Sequence, residues 1–94
     1  MKKGLIYAFK FFYDDGSIEL AGGRSSKPEF LYGSLDGLVS WNEYDKIATS
    51  NLSVHELLTY AAGVFKNKWK KSFYRIEIVN TETNEVIDFV DCKE

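Results

Sequence analysis

The chain carries one histidine, His55, and one cysteine, Cys92. A nucleophile–base pair needs the imidazole within hydrogen-bond reach of the thiol, and a third group to orient the ring. The only acid next to His55 in sequence is Glu56, and adjacent residues on a helix do not face each other. No triad or metal-ligand spacing surrounds either residue. The expectation is a protein with no catalytic residue, no metal site and no cofactor, in which His55 edges a helix and Cys92 is an incidental thiol.

A second kind of chemistry is readable over residues 66–75, KNKWKKSFYR. Five cations and no acid are interleaved there with Trp69, Phe73 and Tyr74. Cations for phosphates and aromatics for base stacking are the footprint of single-stranded nucleic-acid binding. Lys66, Lys70, Lys71 and Arg75 are the candidate contacts. Two points weigh against this. Lysines are ordinary at a helix C-terminus, and the whole chain is acidic, with a formal net charge of −2.

Protein contact is the third chemistry. Trp41 and Tyr44 stand among polar residues on a segment without clear periodicity. Aromatics there either roof the core or form a contact surface. Six acids (Glu77, Glu82, Glu85, Asp88, Asp91, Glu94) face Lys93 alone over residues 77–94. Glu77 and Asp88 fall opposite one another in the simplest strand register, where like charges repel. Either Arg75 neutralises them, or they belong to an acidic surface suited to a basic protein or a loosely held hard cation. The glycines, serines and cations of residues 22–29, GGRSSKPE, read as a loop. They suggest a phosphate cradle only weakly, because Walker spacing is absent.

These residues need elements to hold them. Around residues 52–71 the chain writes a helix. Ser53 and Glu56 have capping-box spacing, and Leu52 and Leu57 make the matching staple. Val54, Leu57, Leu58, Ala61, Ala62, Val64, Phe65 and Trp69 share one side. Gly63 lies on the polar side, at a cost of about 1 kcal/mol relative to Ala.

Residues 5–13 and 17–21 read as a hairpin turning at Asp15-Gly16. That turn sets Tyr13 opposite Ile18 and Phe11 opposite Leu20, on one face with Leu5, Tyr7 and Phe9. Residues 73–79 and 85–91 read as a second hairpin, with Asn84 suited to a left-handed conformation. Pairing Asn80 with Glu85 sets Ile78 opposite Ile87 and Ile76 opposite Phe89, with Tyr74 on the same core face. Residues 30–51 fit two forms. One is a hairpin turning at Asp36-Gly37 with Tyr32 opposite Trp41, which is slightly favoured. The other is a short helix capped by Ser34 with Leu35, Leu38 and Val39 inward.

The 94 residues make one domain with a modest core. Apolar residues at 45% and aromatics at 16% exclude a disordered chain. The apolar run at the start is interrupted by Lys10 and lacks a cleavage site. It predicts neither a signal peptide nor a transmembrane span. A single cysteine fits a reducing compartment, and the expected location is the cytoplasm.

The expected fold is a two-layer α+β domain, an antiparallel sheet of four or five strands with one main helix on one face. The expected function is non-enzymatic binding of an unidentified protein partner, as in inhibitors and regulatory adaptors, including those of mobile elements. The interface candidates are Trp41, Tyr44, Glu77 and Asp88. The alternative is RNA or single-stranded DNA binding through the Lys66–Arg75 segment. No membrane partner is expected. An open sheet edge or an aromatic patch makes a homodimer a further expectation.

Overall fold

Four antiparallel strands form one sheet in the order β2-β1-β3-β4, in a computed structural model that describes residues 4–92. The strands are β1 (Tyr7–Tyr13), β2 (Ile18–Ser25), β3 (Phe73–Asn80) and β4 (Glu85–Asp91). Between β2 and β3 come a 3-10 helix (Pro28–Leu35) and two α-helices, α1 (Trp41–Thr49) and α2 (Val54–Lys68). The fold is therefore α+β, with helices packed on one face of an open sheet. No helix among the described residues is long and apolar enough to cross a membrane.

Helix α2 forms where its spacing predicts. The Glu56 N–H donates to Ser53 Oγ at 3.1 Å, and the Ser53 N–H donates to Glu56 Oε1 at 2.9 Å. Hydrogen bonding from Ser53, chiefly its backbone N–H, holds the Glu56 carboxyl below the usual carboxylate range. Leu57, Leu58, Ala61, Ala62 and Phe65 are buried along one side. They meet Phe9, Phe11 and Tyr13 of β1 and Phe73, Ile76 and Ile78 of β3. Leu31 and Leu35 of the 3-10 helix and Ile47 of α1 close the same core.

The first hairpin departs from the expected register. Its loop has three residues, not two. The Tyr13 N–H donates to the Ser17 carbonyl at 2.9 Å, and the Gly16 N–H to the Tyr13 carbonyl at 3.0 Å. Gly16 takes φ +90°, which glycine adopts without strain. Asp15 Oδ1 accepts from the Ser17 backbone at 2.9 Å and from the Ser17 hydroxyl, locking the turn. Phe11 then pairs with Glu19, Phe12 with Ile18 and Lys10 with Leu20. Because side chains alternate, this one-residue difference moves Ile18 and Leu20 to the other face of the sheet.

The second hairpin keeps the Asn80–Glu85 pair and the left-handed Asn84, at φ 63°. A bulge at Ile87 then shifts the rest of the ladder. Ile78 pairs with Asp88, Glu77 with Phe89 and Ile76 with Val90. Phe89 and Ile87 are therefore exposed rather than in the core, and so is Tyr74, which bulges from β3 opposite β1.

Residues 30–51 take neither of the two expected forms. The Ser34 hydroxyl accepts from the Gly23 N–H at 2.8 Å and ties the 3-10 helix to β2. Ser40 is the cap of the next helix, in a second capping box with Glu43. Leu35 is buried, and Leu38 and Val39 pack against the core, as the helical alternative requires. Residues 22–25 belong to β2 rather than to a loop. Gly22 and Gly23 are two extra residues on that strand, and a Cβ on Gly23 would stand 3.0 Å from Ser34 Oγ.

The register makes a sharp contrast. Phe11→Ala is expected to cost about 3–5 kcal/mol, as a buried aromatic truncation does. Leu20→Thr, on the exposed face, is expected to cost about 0.5 kcal/mol or less. Urea denaturation of both variants checks this, and comparable losses would restore the two-residue turn. In α2, Ser53→Ala is expected to cost about 0.5–2 kcal/mol. Gly63→Ala, where nothing lies within 4 Å of the added Cβ, is expected to stabilise by about 1 kcal/mol. Shifts in midpoint of the same sign for the two variants would contradict this account of the helix.

Candidate functional site

Each candidate side chain now has a position. His55 opens α2 and places Nδ1 2.9 Å from Asp88 Oδ2 on β4. The pair joins helix to sheet edge and stands exposed on the His55 side. Burial pushes the Cys92 thiol above its ordinary pKa. Among the described residues no group of three or more His, Cys, Asp or Glu is placed to hold a metal ion.

The basic segment divides. Trp69 stacks on Phe11 with centroids 5.3 Å apart and meets Phe65 edge-on at 4.9 Å, while Phe73 is buried. Two of its three aromatics are core residues. Lys66 Nζ donates to the Cys92 carbonyl at 2.8 Å. Lys71 Nζ donates to Ser17 Oγ at 3.0 Å, sits 3.7 Å from Asp15 Oδ2 and lies 4.0 Å from the Tyr13 ring centroid. Lys70 is exposed. Arg75 lies elsewhere, on the far face of the sheet.

Trp41 and Tyr44 come together on α1, with ring centroids 6.4 Å apart. Tyr32 and Phe30 extend the row edge to face, at 5.8 and 6.4 Å. Trp41 is the most exposed of the large apolar side chains, at 76%. Beside this row lies an open hollow of about 370 Å³, with Phe30, Tyr32, Ile47 and Leu57 among its lining and Glu29 as its only carboxylate.

Glu77 and Asp88 are not opposite one another. The bulge at Ile87 sends Asp88 to the helix side, where it meets His55. Glu77 stays on the outer side, and Arg75 Nε donates to its Oε2 at 2.9 Å. Arg75 Nη1 also donates to Asp91 Oδ1 at 3.2 Å. Burial pulls the Arg75 pKa down, but the two carboxylates outweigh it and hold the guanidinium above its ordinary value. Lys93 and Glu94 lie outside the described residues.

The shifted registers assemble a surface that a simple reading of the strands does not contain. On the outer face of the sheet, Ile18, Phe12, Arg75 and Asp91 form one cross-strand row. Leu20, Lys10, Glu77 and Phe89 form the next. Val86 pairs with Val79, which pairs with Ala8, in a third. The helices pack on the opposite face, so Ile18, Leu20, Val86 and Phe89 remain between 43% and 55% exposed. At the centre, the Arg75 guanidinium lies 3.9 Å from the Phe89 centroid and 5.9 Å from that of Phe12. Lys10 Nζ lies 5.4 Å from the Phe12 centroid. The signal that finds this face in a sequence is loop length: Asp14-Asp15-Gly16 as a three-residue turn carries Ile18 and Leu20 outward.

Comparison with protein-family models, with curated proteins and with solved structures returned no match.

The Arg75–Glu77 pair is testable. Glu77 is only 6% exposed. Arg75→Met strands that carboxylate and is expected to cost roughly 1–3 kcal/mol. Glu77→Gln is expected to cost less in the Arg75→Met background than in the wild type, the signature of a coupled pair. Denaturation midpoints of the four proteins in the cycle measure the coupling. Additive losses would mean that the pair contributes nothing.

Proposed function

We propose that this chain is a non-enzymatic protein-binding module whose working surface is the outer face of the sheet. An inhibitor or regulatory adaptor acts in this way, by occupying a surface rather than by turning over a substrate. One observation carries the reading. Four large apolar side chains, Ile18, Leu20, Val86 and Phe89, stand exposed on a sheet face that no helix among the described residues covers. They stand in two pairs, on the edge strands β2 and β4, and exposed apolar side chains grouped on one face mark interaction sites in soluble proteins.

The chemistry of the face fits a protein better than a nucleic acid. Ile18, Leu20 and Val86 offer no ring for a base to stack on, and the Phe89 ring is already stacked by the Arg75 guanidinium at 3.9 Å. Arg75, which would meet phosphate, is already bound to Glu77 and Asp91. The apolar rim and the arginine held between aromatic rings instead match the composition of interface centres. Trp41 and Tyr44 make a second candidate surface on α1, on the helix side of the sheet.

The experiment compares variants on one scale. Leu20→Glu sets a carboxylate opposite Lys10, a favourable cross-strand pair, and puts charge on the face without disturbing the fold. Tagged wild type is expected to retain a protein from nuclease-treated native extract that the Leu20→Glu variant loses. The variant with Lys66, Lys70 and Lys71 all changed to Glu is expected to retain it. The same proteins are titrated with an unstructured oligonucleotide at several salt concentrations. Salt-sensitive binding by the wild type, abolished in the triple-lysine variant, would overturn the protein-binding reading in favour of nucleic acid.

A further inference from the structure

We infer that the occupant of the outer face is a second copy of this chain, packed sheet on sheet about a two-fold axis. The inference rests on the protein-binding reading of that face and names its partner.

Shape is the first argument. Four strands about 4.8 Å apart, each of seven or eight residues at about 3.3 Å, make a face of roughly 20 by 25 Å. Its side chains alternate outward from a single layer. Two such faces stack about 10 Å apart with interdigitating side chains, as in the two halves of a sandwich. Lys10 and Arg75 lie along aromatic rings rather than standing off the sheet. Their alkyl stems therefore add to the apolar surface.

Charge is the second. Arg75 holds both carboxylates of the face, Glu77 and Asp91, while Lys10 lies over the Phe12 ring in register with Glu77. Arg24 stands at its corner, Nη1 3.5 Å from Thr81 Oγ1. A strongly acidic or strongly basic partner meets no complementary field here. With three cations against two carboxylates, the face carries little net charge and meets its own copy with little like-charge repulsion. In addition, Arg75 already holds Glu77 and Asp91 within the chain. Covering the face strands none of these three charges.

Area sets the strength. The face offers on the order of 500 Å² per copy in flat projection, below the roughly 800 Å² per partner of a standard stable interface. The dimer is therefore weak and concentration-dependent. Being isologous, it buries each apolar residue twice.

Sedimentation velocity from low micromolar to near-millimolar concentration tests this. The proteins are wild type, Leu20→Glu, Ile18→Lys and, as a control away from the face, Trp41→Glu. Far-UV circular dichroism of each confirms the fold. The wild type is expected to move from monomer to dimer as concentration rises. Both face variants are expected to weaken the dimer about tenfold or more, and Trp41→Glu to leave it unchanged. A wild type that stays monomeric throughout would overturn the inference. If Leu20→Glu nevertheless loses a captured foreign protein, the binding-module reading stands and its partner is not this chain. A dimer lost only with Trp41→Glu would place the contact on α1 and overturn the assignment to the sheet. A dimer unaffected by every variant would overturn it as well.

Discussion

Five aromatic rings surround Phe11, and the fold depends on that contact. Phe73, Phe65 and Trp69 have centroids 5.1, 5.2 and 5.3 Å away, and Tyr13 and Phe9 lie at 6.2 and 6.3 Å. These residues come from β1, from the start of β3, and from the last turn of α2 and its C-cap. One side chain thus joins the central strand pair to the main helix. Edge-to-face and offset stacked rings contribute beyond the area they bury. Around this cluster the aliphatic residues Ile76, Ile78, Leu57 and Leu58 complete a core that the chain's modest length allows. The arrangement also fixes which face of the sheet is inside. With Phe9, Phe11 and Tyr13 committed to the helix, Ala8, Lys10 and Phe12 must face out.

The order of elements was legible where local chemistry was redundant. In α2 the capping box, the staple and the apolar arc all specify the same helix. In β1, the alternation of Phe9, Phe11 and Tyr13 against Ala8, Lys10 and Phe12 specifies the buried side. Both hairpins also close close to their turn residues. What failed was register, for one physical reason twice over. A strand's side chains repeat every two residues, so one added residue in a loop or a bulge reverses every face beyond it. The three-residue loop before Ser17 does this to β2, and the bulge at Ile87 does it to β4. Hydrophobic matching favoured the wrong register in both hairpins, since Ile18, Leu20 and Phe89 look like core residues. Side chains whose pattern points to the core thus stand outside it.

The segment from Pro28 to Thr49 shows a different limit. Ser40 and Glu43 have the same spacing as Ser53 and Glu56, and both pairs form capping boxes. The second was legible because a long apolar arc follows it. The first is followed by a helix with one fully buried residue, Ile47, so the arc is nearly silent. The 3-10 helix before it has no sequence period of its own. It is held by tertiary contact, through Leu31, Leu35 and the Ser34–Gly23 hydrogen bond. Trp41 was recognisable as an aromatic in a polar setting, and it is exposed. Its place at the start of a helix follows from Ser40.

The outer face joins these strands of argument. A sheet with helices on one side leaves its other side to water, and that side is usually polar. Here it carries a buried carboxylate, Glu77, set between Lys10 and Phe89 across the strands. A carboxylate cannot lose water at such a place without a cation to hold it. Arg75 fills that role from the next outward position on the same strand, braced by the Phe89 and Phe12 rings. The ion pair and the rings therefore depend on each other: the rings shield the pair from water, and the pair lets charged residues lie within an apolar surface. Arg75, Glu77 and Asp91 are thus satisfied within the chain, with Ile18, Leu20, Val86 and Phe89 exposed around them, and it is on this arrangement that the protein-binding proposal rests.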